Sequence, residues 1–238
     1  MDFHGTTVLV TGATSGVGRA TAFAFARAGA TVVASGRDDA RGETVAAGTG
    51  GTFIRADLTD RSAVRRLAAA AGAVDILVNN AGYWELGPTA TTTDAGFDTM
   101  IDVNLRAPFV LTAELAPAMA QRGHGVIINI STMVAARGAA GMAAYGATKA
   151  ALESLTRSFA AEYGPSGVRV NALALGPTRT EVTAGMGDLL DSLAAASPLG
   201  RANEPEEVAE LVTYLAGDGA RPLTGVVLAV DAGRTAAL

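Results

Sequence analysis

The 238-residue sequence contains no cysteine, one tryptophan and a single lysine among its 18 basic residues. Without cysteine, disulfide bonds and thiolate metal sites are excluded, and we expect no metal site. No apolar run reaches the roughly 18 residues of a membrane span, and the first ten or so residues do not resemble a signal peptide. The net charge of −5, without a basic cluster, argues against nucleic acid as a partner. We therefore expect a cytoplasmic protein with neither membrane nor nucleic acid as a partner.

Short runs rich in Val, Ile and Leu alternate with longer alanine-rich stretches that are typical of helices. Continuous apolar strands separated by helical crossovers indicate a parallel sheet that is covered on both faces. Because such crossovers are right-handed, we predict a doubly wound α/β Rossmann fold. Its seven-stranded, mostly parallel sheet would carry helices on both faces, and residues 1–238 would form one domain. The predicted strands are Thr7–Val10, Thr31–Ala34, Thr52–Arg55, Asp75–Val78, Gly125–Ile130, Val168–Ala172 and Val226–Val230.

A glycine-rich turn, Thr11–Gly18, follows the first predicted strand and opens a helix. Glycines let the chain reverse, let backbone N–H groups approach a pyrophosphate, and let the helix pack close to the strand. The N-terminus of the helix adds a dipole that favours an anion. This position in the chain predicts a dinucleotide-binding turn. Its predicted contacts are Gly12, Thr14, Ser15, Gly16, Val17 and Gly18.

Tyr145 and Lys149 lie four residues apart in a stretch, Ala143–Glu162, that is predicted to be helical. This spacing places both side chains on one face of the helix. An ammonium group near a phenol favours the phenolate, so we expect the pKa of Tyr145 to fall from about 10 toward neutrality. Arginine fills every other basic position, which indicates that Lys149 does something that arginine would not. We predict that Tyr145 donates and accepts the proton of a carbonyl reaction.

Together, the turn Thr11–Gly18, the segment Asn79-Asn80-Ala81-Gly82 and the Tyr145–Lys149 pair resemble the compact short-chain dehydrogenase/reductase family along essentially the whole chain. The resemblance implies hydride transfer between a nicotinamide dinucleotide and a ketone or secondary alcohol, as in a 3-oxoacyl reductase or a related ketoreductase. It also implies that Tyr145 and Lys149 contact the cofactor. The alternatives are a dinucleotide-binding regulatory protein without turnover, an NAD-dependent alcohol dehydrogenase, and an isomerase, epimerase or dehydratase on the same scaffold.

In this family a serine about 13 residues before the tyrosine bonds the substrate oxygen, and the sequence departs from that pattern. Counting back from Tyr145 leads to Thr132, whereas Ser131 lies one residue farther away. Threonine keeps the hydroxyl donor and acceptor but has a stiffer side chain. We predict that Thr132 holds the substrate oxygen, with Ser131 as the alternative if the strand end is shifted by one residue.

Asn104 matches the family's fourth catalytic position, which implies that it holds a water relaying protons to Lys149. Pro108 lies four residues later and has no N–H, so in a helix it cannot bond the Asn104 carbonyl. We hypothesise that Pro108 frees this carbonyl for the relay water. The alternative is that Pro108 simply occupies the first turn of a helix, a position that proline favours.

The residues after the second strand bear on which dinucleotide is used. Gly36 stands where NAD-preferring members usually carry an acid, and Arg37 can pair with a 2′-phosphate. Ser15, in the place of a second basic residue, and Asp38, which can repel phosphate, argue the other way. We predict that the protein prefers NADP(H), and use of NAD(H) remains the alternative. The resemblance implies further contacts from Asp57 and Leu58, from Asn79, Ala81 and Gly82, and from Gly176, Pro177 and Thr180.

The substrate side is predicted to be apolar. Its candidates are Tyr83, Trp84, Met133, Met142 and a flap, defined here as Glu181–Pro198, with a short helix rich in leucine. These leucines favour an apolar substrate, although they would equally serve as the buried face of a helix. Trp84 either walls the pocket or packs at the surface. The resemblance also implies a homotetramer or homodimer formed through the helical segments Leu105–Met119 and Ala143–Ala161.

Overall fold

The strands form one fully parallel sheet, described for residues 1–237 by a computed structural model. Every neighbouring pair is parallel, so the predicted mostly parallel sheet is confirmed and has no antiparallel edge. The strands are β1 Thr7–Thr11, β2 Thr31–Gly36, β3 Thr52–Arg55, β4 Ile76–Asn79, β5 Gly125–Thr132, β6 Val168–Leu175 and β7 Val227–Val230. Their order across the sheet is β3-β2-β1-β4-β5-β6-β7.

Eight α-helices connect the strands of the described chain and cover both faces of the sheet. They are α1 Gly16–Arg27, α2 Asp39–Thr49, α3 Arg61–Ala71, α4 Asp94–Ile101, α5 Ala107–Arg122, α6 Ala143–Tyr163, α7 Asp188–Ala195 and α8 Pro205–Ala216. Within residues 1–237, none of the helices has the length and apolar character needed to cross a membrane.

The alternation of side chains along β1 shows why the core has two halves. Val8 and Val10 pack in one apolar cluster with Phe25 of α1 and Leu215 of α8. Leu9 points to the other face and packs in a second cluster that includes residues of α3, α5 and α6. Successive residues of a strand face opposite sides, so a strand buried on both sides is continuously apolar. This confirms the predicted doubly wound fold.

The strand order reverses beside β1, and this reversal positions the site. β1 pairs with β2 on one side and with β4 on the other, so the chain leaves their carboxyl ends in opposite directions. A crevice opens at such a switch point, and ligands of open α/β sheets bind there. The glycine turn, the end of β5 and the end of β6 all lie at this edge of the sheet.

Two helices begin with side-chain caps of kinds that are recognisable in a sequence. The Asp60 side chain accepts a hydrogen bond from the Ser62 N–H at the start of α3. Glu204 and Glu207 form a reciprocal capping box around the first turn of α8. Such caps satisfy N–H groups that have no partner within the helix, and this is why these sequence signals were dependable.

A π-helical turn, Asp102–Arg106, joins α4 to α5 without a break. The Ala107 N–H bonds the Asp102 carbonyl five residues back, so the predicted helix Leu105–Met119 becomes α5, beginning at Ala107. Pro108 is the second residue of α5 and at the same time lies four residues after Asn104 in a helix that continues from α4. Turns of this kind are rare and are often found at functional sites.

Candidate active site

A cavity of about 940 Å³ lies at the carboxyl edge of the sheet. One end reaches the residues after β2 and β3, the middle follows the glycine turn, and the other end lies beneath the flap. The cavity brings together nearly all of the site residues predicted from sequence. These are Gly12, Thr14, Ser15, Gly16, Val17, Gly18, Arg37, Asp57, Leu58, Ala81, Gly82, Ser131, Thr132, Tyr145, Lys149, Gly176, Pro177 and Thr180.

The glycine turn is packed so closely that side chains would not fit. A Cβ atom on Gly18 would lie 2.2 Å from the Gly12 carbonyl oxygen, and one on Gly12 would lie 2.9 Å from Cα of Ala81. The Asn80 side chain secures the turn by donating to the carbonyl oxygens of Thr11 and Gly12, at 2.9 and 3.2 Å. Asn80 belongs to the motif Asn79–Gly82, but nothing in the sequence indicates this role.

The first N–H of α1 already has an anionic partner. The Gly16 N–H donates to the Glu181 carboxylate at 2.9 Å, and the same carboxylate pairs with Arg19 at 3.1 Å. A carboxylate at this position shows that the start of α1 accommodates negative oxygen atoms, as expected at a helix N-terminus. The residues present therefore fit the pyrophosphate of a dinucleotide, with Gly16 and its neighbours as backbone donors.

Lys149 is buried in the cavity wall and does not bond the Tyr145 hydroxyl. Its side chain is 3% exposed, and Nζ donates to the Ile130 carbonyl oxygen at 2.8 Å. Burial lowers the pKa of Lys149 to about 8, because a charged ammonium group is poorly solvated there.

Burial raises the pKa of Tyr145 to about 12, although a hydrogen bond with Thr132 acts in the opposite direction. The predicted fall toward neutrality is therefore wrong for the protein by itself. The loss of water around the phenol dominates, and the ammonium group of Lys149 is bonded to the Ile130 carbonyl rather than to the phenol. In this state Tyr145 is a protonated phenol, which suits a proton donor.

The two neighbouring hydroxyl groups at the end of β5 have different partners. Ser131 is buried and its Oγ donates to Oε1 of Glu153 on α6 at 2.6 Å. Thr132 instead approaches Tyr145 closely enough to lower the pKa of the phenol. Of the two residues, Thr132 therefore has its hydroxyl beside the phenol, where the oxygen of a substrate would be held.

Asn104 does not line the cavity but supports it from behind. Its side chain is fully buried; Oδ1 accepts from the Tyr83 N–H at 2.8 Å, and Nδ2 donates to the Tyr83 carbonyl at 2.8 Å. Nδ2 also bonds Thr148 of α6 at 3.1 Å. These bonds fix the backbone of Tyr83 against α6. The relay through the Asn104 carbonyl stays a prediction.

Asn79 is a correction to the predicted cofactor contacts. Its Nδ2 donates to Asn129 on β5 at 2.8 Å, and Asn129 in turn donates to Thr156 of α6 at 2.8 Å. The side chain of Asn79 is thus turned into the interior and away from the cavity. It joins β4, β5 and α6 through buried hydrogen bonds, while its neighbours Asn80, Ala81 and Gly82 line the cavity.

The substrate end has the apolar lining that the sequence predicted. Trp84 lines the cavity, as expected if it walls the pocket rather than packs at the surface. Met133, Met142 and Tyr83 line the cavity too. The flap contributes an irregular stretch and the short helix α7. Its lining side chains are Val182, Thr183, Met186, Leu189, Leu190 and Leu193, and the sequence had not indicated that Leu86 and Val134 would join them.

Carbonyl reduction needs a hydride carrier held beside a proton donor, and the cavity joins a dinucleotide-binding turn to a protonated phenol. This combination defines the protein as a nicotinamide-dinucleotide-dependent oxidoreductase with a Rossmann fold. A family model described as enoyl-(acyl carrier protein) reductase matches residues 12–235. The chain belongs to the short-chain dehydrogenase/reductase family, and it acts on CH–OH or C=O groups with NAD(P).

Three known proteins illustrate the similarity. The cis-4-hydroxycyclohexanecarboxylate dehydrogenase of Sinomonas cyclohexanicum is 40% identical over 238 residues, which cover 96% of each chain. A solved short chain dehydrogenase/reductase family protein is 48% identical, with a TM-score of 0.95 and complete coverage of both chains. A blue fluorescent protein from a metagenomic library, solved in complex with NADPH, is 32% identical with a TM-score of 0.91; the match covers 98% of this chain and 99% of that one.

Proposed function

We propose that the protein interconverts uncharged, apolar ketones and secondary alcohols, and that it uses NADP(H) in preference to NAD(H). The observation that carries the substrate class is the lining of the cavity around Tyr145. Its charged lining residues in the described chain are Lys149, at the catalytic pair, and Arg37, Asp38, Arg41 and Asp57, which follow β2 and β3 at the dinucleotide end. The substrate end is otherwise closed by apolar or uncharged side chains.

Such a lining selects strongly against a charged substrate. Moving a carboxylate from water into an apolar site without a partner costs several kcal/mol. The name of the Sinomonas relative gives its substrate as a ring alcohol that carries a carboxylate. The cavity of this chain offers no arginine beneath the flap to pair with such a carboxylate.

The proposed mechanism assigns the proton to Tyr145. The glycine turn Thr11–Gly18 would hold the dinucleotide, and the hydride at the reacting carbon would come from it or pass to it. In reduction, Tyr145 donates its proton to the carbonyl oxygen, which the Thr132 hydroxyl holds in place. Lys149 remains positively charged below pH about 8 and stabilises the phenolate that the proton leaves behind. Asn104 is a positioning residue, because it fixes Tyr83 and α6.

Three features at the end of β2 support the preference for NADP(H). A side chain in place of Gly36 would meet Cγ2 of Thr14 at 2.6 Å, so the acid typical of NAD-preferring sites lacks room. Asp38 caps α2 by accepting from the Arg41 N–H at 3.0 Å and pairs with the Arg41 side chain at 3.5 Å. This pairing reduces the repulsion that Asp38 would exert on a phosphate. Arg37 is left exposed at the cavity.

The substrate proposal is tested with two ketones of nearly equal shape, 4-methylcyclohexanone and 4-oxocyclohexanecarboxylate. We expect kcat/KM with NADPH to be at least about 100-fold higher for the neutral ketone, because the carboxylate has no partner. Absorbance of the reduced nicotinamide follows the reaction. Equal or faster turnover of the carboxylate would contradict the substrate class. If no ketone of a broad panel is turned over, the result would favour the alternative of a regulatory protein without turnover. Product formation without net use of the cofactor would favour an isomerase.

The cofactor preference is tested by Arg37→Ala. We expect KM for NADPH to rise about tenfold and KM for NADH to stay unchanged, because only the former has a 2′-phosphate to pair with Arg37. A parallel rise for both dinucleotides would contradict the assignment.

We also propose that α5 and α6 form the interface of a homodimer or homotetramer. Phe109 of α5 is 47% exposed, which leaves a large apolar side chain uncovered on one of these two helices. Sedimentation of the purified chain tests this assembly. The cytoplasmic location stays a prediction, which cell fractionation can test.

A further inference from the structure

We propose that the Glu181 carboxylate is a displaceable occupant of the pyrophosphate-binding turn, so that a dinucleotide must detach the start of the flap in order to bind. Glu181 is the first residue of the flap. It bonds the Gly16 N–H at 2.9 Å and Arg19 at 3.1 Å, and so connects the flap to the first turn of α1. The inference requires that the turn binds a dinucleotide, but it does not depend on the substrate class or on the choice between NADP(H) and NAD(H).

A compact turn presents the Glu181 carboxylate to α1. The Thr180 N–H donates to Oγ1 of Thr183 at 2.8 Å, and the Thr183 N–H donates back to Oγ1 of Thr180 at 3.1 Å. Oγ1 of Thr183 also donates to the Thr178 carbonyl at 2.7 Å. Thr180 itself packs on Gly16, where a Cβ atom would lie 3.0 Å from its Cγ2. The carboxylate therefore reaches α1 from a segment that is held together by its own hydrogen bonds and touches the glycine turn at Thr180.

The carboxylate and a pyrophosphate would compete for the same donor. Gly16 is the first residue of α1, and its N–H is one of the groups left without a helical partner. The pKa of Glu181 is lowered by its own backbone N–H, by the Gly16 N–H, and by the charges of Arg19 and Arg41, so the group is ionised at neutral pH. Two anions at one N–H repel each other and share a single donor. The pyrophosphate would therefore displace the carboxylate.

Displacement of Glu181 would move the segment that covers the substrate. Val182 and Met186 follow within five residues and line the apolar end of the cavity, and Leu189, Leu190 and Leu193 follow on α7. The contact of Glu181 with Gly16 thus holds the flap closed, and loss of the contact would let the flap open. Dinucleotide affinity is reduced by whatever free energy this contact contributes.

The test compares Glu181→Gln, which keeps the shape and removes the charge, with Asp188→Asn. Asp188 lies on the same flap and has no side-chain hydrogen bond or ion pair within the described chain, so it is a matched control for charge. The dissociation constant of NADPH is measured without substrate, by energy transfer from Trp84, which lines the cavity. We expect Glu181→Gln to bind NADPH about twofold to fivefold more tightly, the range expected for one exposed charge at a helix N-terminus. We expect Asp188→Asn to bind as the unaltered chain does.

Hydrogen exchange supplies a second readout that needs no cofactor. Amides of residues 182–187 should exchange faster in Glu181→Gln than in the unaltered chain, and inorganic pyrophosphate should produce the same acceleration in the unaltered chain. Unchanged or weaker NADPH binding by Glu181→Gln, or unchanged exchange in the flap, would overturn the proposal. If NADPH bound to none of the three proteins, the dinucleotide assignment itself would fail, which is a separate result.

Discussion

Thr132 and Ser131 show that a shift of one residue along β5 would change which hydroxyl group contacts Tyr145. They are neighbours on β5, and successive side chains of a strand point to opposite sides. Ser131 turns toward the middle of α6 and donates to Glu153, whereas Thr132 contacts Tyr145 in the first turn of the same helix. Counting residues from Tyr145 had favoured Thr132 but left Ser131 open, because the position of the strand end decides which hydroxyl lies beside the phenol.

This difference predicts opposite effects of two matched substitutions. Thr132→Ala should reduce kcat about 100-fold or more with little effect on NADPH binding, because the substrate oxygen loses a hydrogen-bonding partner where charge develops. Ser131→Ala should keep kcat within about threefold but lower the free energy of unfolding by about 1–3 kcal/mol, because the buried Glu153 loses its partner. Steady-state kinetics and urea unfolding of both variants check this. Loss of turnover in Ser131→Ala alone would reverse the assignment.

The chemistry of single residues was predictable where it depended on spacing and was missed where it depended on distant contacts. The pairing of Tyr145 with Lys149 on one helix face followed from their separation of four residues. The pKa of Tyr145 did not, because it depends on burial by the whole fold. Glu181 gave no sequence signal for its role, since its partner Gly16 is 165 residues away.

At the level of elements, the π-helical turn between α4 and α5 explains how Asn104 reaches its partners. The turn widens the helix by one residue and points Asn104 at the backbone of Tyr83. Pro108 follows this turn and has no N–H to offer to the Asn104 carbonyl. The proline thus favours the wider turn at the place where the Asn104 side chain is needed.

Pro108→Ala is therefore expected to slow turnover more than it weakens NADPH binding. Alanine supplies an N–H that can bond the Asn104 carbonyl, and the turn can then tighten to an α-helix and rotate Asn104 away from Tyr83. We expect kcat to fall about tenfold, in the range of misplacement effects. Pro117→Ala, at the other proline of α5, is the control. Unchanged turnover in a folded Pro108→Ala protein would count against this role.

The ends of the elements were harder to predict than their existence. Strands β5 and β6 continue to Thr132 and Leu175, beyond the predicted ends at Ile130 and Ala172. Ser131 and Thr132 continue the ladder opposite Ala174 and Leu175, although hydroxyl side chains would equally suit a loop. Sheet pairing decides such residues, and no local pattern reports it.

At the scale of the whole molecule, the topology could be predicted because few alternatives satisfy it. Apolar runs too short for a membrane and separated by helices must form a parallel sheet with right-handed crossovers. The sequence predicted a flap at the substrate side, but not the contacts that place it over the cavity. The placement of the flap depends on contacts of Glu181 and of the leucines of α7 with elements far away in the sequence.

Burial of Lys149 lowers the free energy of unfolding of the whole protein. The pKa of Lys149 is about 8 in the folded protein, against an ordinary value of 10.5. Below pH about 8 the ammonium group is charged in both the folded and the unfolded protein. The folded protein then bears the whole free-energy cost of burying the charge. Between pH about 8 and 10.5 the lysine is protonated in the unfolded chain but neutral in the folded protein. Stability of the unaltered protein should therefore rise with pH in this interval.

Lys149→Met is accordingly expected to abolish turnover and to stabilise the protein. At pH 7 we expect the free energy of unfolding to rise by about 1–3 kcal/mol, since the gain from removing a buried charge is partly offset by the unpaired Ile130 carbonyl. The gain should shrink as the pH rises from about 8 toward 10.5, where the lysine is neutral in the folded state. Tyr145→Phe also removes the proton donor but should keep the slope of stability in this interval, because the pKa of Tyr145 is raised rather than lowered. Urea unfolding of the three proteins from pH 7 to 10 distinguishes these effects. A Lys149→Met protein that is less stable than the unaltered chain at pH 7 would mean that the ammonium group is solvated and that its burial carries no cost.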